Sequence, residues 1–127
     1  MPSRTSDWLR QAERNLKSAE VNYQHGLYEE SCYESQQCAE KAVKGLLAHL
    51  HREERGHSIT LLLRAVTLEV PSEVLECAQE LDKHYIPSRY PDAYDEGGPL
   101  DYYNRGDAER CMECARRVLN WVKGRVV

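Results

Sequence analysis

The chain has 127 residues, 41% of them apolar and 30% charged, which suits one domain with one core and is too little for two. No apolar run reaches the length of a membrane span or a secretory segment, so a soluble, cytoplasmic protein is expected. A net charge of -4 excludes wholesale electrostatic capture of nucleic acid and leaves only a local basic patch for such a role.

In chain order, Leu9, Ala12, Leu16, Ala19 and Tyr23 recur at steps of three and four, which predicts a first amphipathic helix that Gly26 can stop. Cys32, Gln36, Ala39, Val43, Leu46 and Leu50 repeat the pattern with no proline between Tyr28 and His51, predicting the longest helix. After the polar break HREERGH, Ser58 can cap a third helix that buries Ile59, Leu62 and Val66. Ser72, following Pro71, can cap a fourth in which Val74, Ala78, Leu81 and Tyr85 share a face until Pro87. A last stripe runs through Ala108, Cys111, Ala115, Val118 and Val122, widened by Met112 and Leu119, and frays near Gly124.

No segment alternates with period two, so the expected fold is all-α, an antiparallel bundle of four to five helices forming one domain over residues 1–127. Only Pro87 to about Asn104 is too long for a minimal helix connection, and such loops are commonly functional or disordered. It holds most of HYIPSRYPDAYDEGGPLDYY, with its crowd of prolines, glycines and tyrosines. In a chain with eight Tyr, two Trp and no Phe, aromatic rings carry polar handles suited to interfaces. The five cysteines leave one unpaired in any full disulfide scheme, so reduced and mostly buried thiols are expected.

DWLRQAERNLKSAE at the beginning, QQCAEKAVKGLL in the second helix, the following GHSITLLL and the later RYPDAY, in this order and spacing, resemble the HEPN domain. The name marks its occurrence in higher eukaryotes and prokaryotes and its nucleotide binding. The resemblance covers about Asp7 to Val122. It implies a helical bundle, often a homodimer, frequently paired with a separate minimal nucleotidyltransferase as half of a toxin–antitoxin module or as its nucleotide-binding partner. This chain has no nucleotidyltransferase signature of its own, so any such catalyst is a second polypeptide.

Other branches of the family are metal-independent ribonucleases with an Arg, four to six intervening residues and a His. Arg52 and His57 meet that spacing, and the chemistry is coherent: imidazole can move a 2'-hydroxyl proton while guanidinium holds the phosphate. Yet twelve Arg and five His in 127 positions make about one such match expected by chance, and Glu53 follows Arg52 where the motif carries Asn, Asp or His. A solvated helix end is the competing reading, with His57 ordering the turn before the third helix.

The RYPDAY stretch offers two readings as well. Arg89, flanked by prolines that restrict the backbone, can present a guanidinium fork to a phosphate or carboxylate. Tyr90 offers a stacking face and Asp92 an acceptor for a ribose hydroxyl, while Lys41 and Lys44, expected to face outward from the second helix, can complete a phosphate-binding face. In the structural reading Arg89 pairs with Asp92 or an acid of the second helix, and Lys44 with Glu40. One of Gln36 and Gln37 is expected to hydrogen-bond across a helix interface, which family habit would make the dimer seam. Cys111 and Cys114 form a CxxC inside an apolar stripe. With Cys32, His49 and His51 as the other candidates, no second CxxC or paired histidine completes a zinc set, so packing is expected and no metal is assigned.

The sequence reading is therefore a non-catalytic nucleotide-binding or partner-binding subunit, with a nucleotide such as ATP as its ligand and Arg89, Tyr90, Asp92, His57, Lys41 and Lys44 as its site. A ribonuclease using Arg52 and His57 and a purely structural dimerisation module are the alternatives. RNA is the less expected partner, and no membrane is expected.

Overall fold

The computed structural model describes residues 3–126. The helices are α1 (Thr5–Gln24), α2 (Tyr28–His49), α3 (Ile59–Leu63), α4 (Ser72–Asp82), α5 (Pro99–Tyr102) and α6 (Arg105–Arg125), and among the described residues there is no strand. The four long ones form the all-α bundle that periodicity predicts; α3 and α5 are single short turns laid against it.

The α1–α2 hairpin closes where a glycine permits it. Gly26 has φ +76°, its N–H donates to the Tyr23 carbonyl at 3.1 Å, and the Leu27 N–H donates to the Asn22 carbonyl at 2.9 Å. This pairing satisfies the last carbonyls of α1 and reverses the chain in three residues. Small residues then bring the two helices together: Ala12 and Ala19 are fully buried, and a Cβ at Gly45 would lie 3.0 Å from the Cβ of Trp8.

Helix α2 is central, with α1 along one side and α6 along another, while α4 packs on α6. Its Cys32, Ala39, Val43 and Leu46 are solvent-inaccessible, as are Ala108, Cys111, Ala115, Val118 and Val122 of α6. The start of α6 is fixed by a reciprocal cap: the Asn104 side chain accepts from the Asp107 N–H at 3.0 Å and the Asp107 carboxylate accepts from the Asn104 N–H at 2.9 Å.

Two expectations for the middle of the chain need correction. Ser58 caps α3 as expected, its hydroxyl accepting from the Leu61 N–H at 3.1 Å, but Ser72 does not cap α4. It is the first helical residue, preceded by Pro71, and its hydroxyl donates to the Glu73 carboxylate instead. Helix α4 also ends at Asp82 and does not run to Pro87. Bonds from His84 N–H to the Leu81 carbonyl and from Tyr85 N–H to the Asp82 carbonyl tighten the chain into three-residue turns ahead of the proline, whose ring disfavours helix at Ile86. Tyr85 therefore swings out of the α4 stripe.

The segment from Pro87 to Asn104 is internally bonded and not an open loop. Pro91–Ala93 forms a 3-10 turn, Tyr94 donates its hydroxyl to the Pro87 carbonyl at 2.9 Å, and Tyr102 donates to the Glu96 carbonyl at 2.7 Å. Their two rings stack with centroids 4.5 Å apart and planes 2° apart. The tyrosine hydroxyls thus satisfy backbone acceptors that a loop would otherwise leave to water.

Candidate functional site

One face of α2 carries Tyr33, Gln37, Glu40 and Lys44, at steps of four, three and four. The turn after α4 and the approach to α3 supply the other wall. Arg89 donates from Nε to the Tyr85 carbonyl at 2.8 Å and from Nη1 to the Tyr90 hydroxyl at 3.2 Å. Its guanidinium carbon lies 4.6 Å from the centroid of Tyr33, 4.4 Å from that of Tyr85 and 4.8 Å from that of Tyr90. Three rings on one guanidinium fix its position by cation–π attraction while leaving its charge unneutralised. The anticipated pairing of Arg89 with Asp92 or an acid of α2 does not occur among the described residues, because the stacking rings take the place of the carboxylate.

His57 also stacks on Tyr85, with ring centroids 5.0 Å apart and planes 16° apart. His57 Nδ1 is 3.3 Å from the carboxylate of Glu40, so Nδ1 carries the proton and Nε2 is the ring nitrogen left over. The Glu40 side chain is only 4% exposed and that of His57 59% exposed, so a buried carboxylate aims an accessible imidazole. Glu40 also accepts from Lys44 Nζ at 3.0 Å and from Gln37 Nε2 at 3.2 Å, which gives the buried charge the partners it needs. Tyr33, Arg89, Tyr90, Tyr85, His57, Glu40 and Lys44 thus form one connected strip.

The remaining sequence candidates lie outside it. The Lys41 ammonium donates to Asn15 Oδ1 at 2.8 Å, and Asn15 donates to Glu34 at 2.7 Å, so Lys41 ties α2 to α1 and does not face outward. Lys44 is not outward-facing either: its side chain is 16% exposed. Asp92 is exposed on the 3-10 turn. Arg52 lies nearest Glu54 at 3.9 Å and, with Lys44, Trp8 and Arg55, lines an open groove of about 1100 Å³ between the start of α1 and the end of α2. No hydrogen bond joins Arg52 to His57.

Gln36 is the glutamine that bridges elements: fully buried, it donates to the His57 carbonyl at 2.8 Å and accepts from Gln37 at 2.8 Å. Its amide is committed inside the chain, which removes it from any dimer seam. Sequence reasoning missed Tyr33, which lies off the stripe singled out in α2, and Tyr85, since an aromatic residue on a helical stripe reads as core. The proline two residues beyond Tyr85 was the available signal that the stripe ends early. The CxxC sulfurs are packed as expected, Cys111 buried and Cys114 half-buried. Cys111 nevertheless gathers with Cys32 and with His84, a residue outside the set of zinc ligands that the sequence suggests.

Comparisons with known proteins agree with this architecture. The solved structure of TT1696 from Thermus thermophilus superposes with a TM-score of 0.95 at 39% identity, covering 98% of this chain and 99% of that one. ST0689, described as an archaeal HEPN homologue, gives 0.85 at 52% identity over 99% and 100% of the two chains. A HEPN domain protein of Thermotoga maritima gives 0.76 at 31% identity over 93% and 95%. Among curated proteins, "Putative toxin MJ1304" of Methanocaldococcus jannaschii is 32% identical, over 91% of this chain and 84% of that protein. The HEPN domain family model matches residues 5–125, nearly the whole helical bundle, and the chain belongs to the HEPN domain family.

Proposed function

We propose that the chain is the HEPN half of a toxin–antitoxin-like pair, a homodimeric, non-catalytic subunit that binds a nucleotide such as ATP and acts with a separate minimal nucleotidyltransferase. The relative named as a toxin supports the first part. The observation that carries the second is Arg89, a guanidinium whose carbon lies 4.4–4.8 Å from three tyrosine ring centroids, with no carboxylate partner among the described residues. Such a group is preorganised for a phosphate, and Tyr90, 44% exposed, gives a base a face to stack on. Lys44 is spent on the Glu40 carboxylate at 3.0 Å, and Lys41 and Asp92 have no part in the strip, so Arg89 is the cation offered to a phosphate.

Calorimetric titration with ATP and GTP tests this. Saturable binding is expected, weakened about 10-fold or more in Arg89→Ala with helicity unchanged. Lys41→Met should bind like the wild type. Equal binding by Arg89→Ala, or no binding by the wild type, would reject the site.

A second reading is favoured by the Glu40–His57 contact. A buried carboxylate fixing the tautomer of an exposed imidazole is the arrangement an acid–base histidine needs, so a ribonuclease using His57, with Arg52 as its motif partner, predicts cleavage of a short RNA without added metal. Loss of that cleavage in both His57→Ala and Arg52→Ala, with Arg89→Ala retaining it, would establish the nuclease reading over nucleotide binding.

A further inference from the structure

The bundle contains a second polar cluster, on the side of α2 away from Lys41. Cys32 of α2, Cys111 of α6 and His84, just past α4, place two sulfurs and a ring nitrogen all within 4.8 Å of one another. Both thiols are solvent-inaccessible, and the His84 side chain is 16% exposed, so the imidazole forms the one edge open to solvent. His84 is held at both nitrogens. Nε2 lies 3.0 Å from the Glu80 carboxylate and Nδ1 lies 2.7 Å from the Tyr103 hydroxyl. A carboxylate only accepts, so Nε2 carries a hydrogen, while the Tyr103 hydroxyl can donate to Nδ1 or accept from it. In the tautomer in which Tyr103 donates, Nδ1 holds the lone pair that a metal ion needs, and the hydroxyl of buried Ser88 donates to the His84 carbonyl and fixes the turn.

These features suit zinc, with three of the four tetrahedral positions supplied by the chain. Sulfur and imidazole are the ligands zinc prefers. A ligating histidine ordinarily donates its other N–H to a carboxylate, and Glu80 is already in that place. The charge also balances: two thiolates and one divalent cation sum to zero, with neutral imidazole and phenol beside them. A net-neutral complex suits a buried site where a lone thiolate is costly. Binding at Nδ1 would displace the Tyr103 hydrogen bond from that lone pair, and Zn–S bonds of about 2.3 Å and Zn–N bonds of about 2.0–2.1 Å would draw the three ligands together, with a water completing the shell.

We propose that Cys32, His84 through Nδ1 and Cys111 form a Cys2His site for a thiophilic divalent cation, zinc above all, that clamps α2, α6 and the turn after α4. Binding expels the two thiol protons, and no redox change is involved. The ion would brace the same turn that carries Tyr85 and Arg89, so the cation site supports that face from behind without touching its ligand.

Cobalt titration of the reduced, chelator-treated protein is the direct test. One equivalent of Co2+ should give thiolate-to-cobalt charge-transfer absorption and intense tetrahedral visible bands, both displaced by Zn2+, and Zn2+ should raise the thermal midpoint. Cys32→Ser, Cys111→Ser and His84→Gln should each lower affinity by about 100-fold or more. Because those side chains are packed, Glu80→Gln serves as a half-exposed variant that leaves the fold alone, with an expected loss of about 10-fold. The double variant Cys77→Ser, Cys114→Ser should keep the cobalt spectrum. Absence of tetrahedral bands in the wild type overturns the proposal, as does a spectrum that survives Cys32→Ser and Cys111→Ser together or vanishes with Cys77 and Cys114.

Discussion

Gln36 shows what a single side chain does here. Its amide is fully buried in the middle of α2, donates to the carbonyl of His57 and accepts from Gln37, so it fixes where the chain leading into α3 meets α2. Gln36→Leu is close in volume but strands both partners, and an unsatisfied buried polar group costs about 1–3 kcal/mol. The variant should lose that much in urea unfolding, with an unchanged denaturant slope. Because His57 would lose its backbone anchor, its stacking on Tyr85 should loosen and the imidazole proton signals should shift in NMR. Sequence reading finds that a glutamine amid apolar neighbours must cross an interface, since the pattern exposes the polar exception. It does not find the partner: a backbone carbonyl twenty-one positions away leaves no mark in the side-chain alphabet. Arg89 is similar. Flanking prolines mark it as positioned, yet its three rings come from α2 and from both sides of its own turn, and only the fold brings Tyr33 to the other two.

Helix ends in this protein carry unequal strain, and two of them make opposite predictions. Helix α1 stops on Gly26 at φ +76°, while α2 stops on His51 at φ 60° with the same bonding, Arg52 N–H donating to the Leu47 carbonyl at 2.8 Å and His51 N–H to the Ala48 carbonyl at 3.1 Å. A left-handed conformation costs an L residue about 1–2 kcal/mol, offset in part by the extra chain entropy glycine loses on folding. His51→Gly should therefore raise stability by about 0.5 kcal/mol and Gly26→Ala should lower it by about 1 kcal/mol, both read from denaturation midpoints.

Helix α3 depends on a neighbour. At five residues it cannot stand alone, and the Asp82 carboxylate at the end of α4 accepts from the Ile59 N–H at 2.9 Å, the Thr60 N–H at 2.8 Å and the Ser58 hydroxyl at 3.1 Å. Asp82→Ala removes a cap and a favourable charge together, and should cost about 2 kcal/mol. Amide exchange at Ile59 and Thr60 should accelerate more than in α2. The Ser58 cap is visible in sequence because it is local. Asp82 reads as an ordinary exposed acid because its donors lie on another helix.

At the scale of the whole bundle, five cysteines occupy helix interfaces without a disulfide, and this arrangement sets an alkaline limit on the fold. Reduced, buried thiols follow from helical periodicity, since each cysteine sits in or beside an apolar stripe. Their grouping across α2, α4 and α6 does not, because topology decides which stripes face one another. Cys38 is solvent-inaccessible and burial pushes its thiol up to about 12 from an ordinary value of 9.0. A raised value means that the folded state keeps its proton after the unfolded chain has released its own. The associated stability is thus fully present below about pH 9, declines as pH rises toward 12, and amounts to up to about 4 kcal/mol for this group. Urea midpoints measured from pH 8 to pH 11 should hold to about pH 9 and then fall, and Cys38→Ala should show a flatter fall because its share of the proton release on unfolding is gone. The same burial keeps Cys38 a protonated, inert thiol at neutral pH, so alkylation there should wait for unfolding. Parallel slopes in the two proteins would mean that Cys38 is not held protonated by the fold.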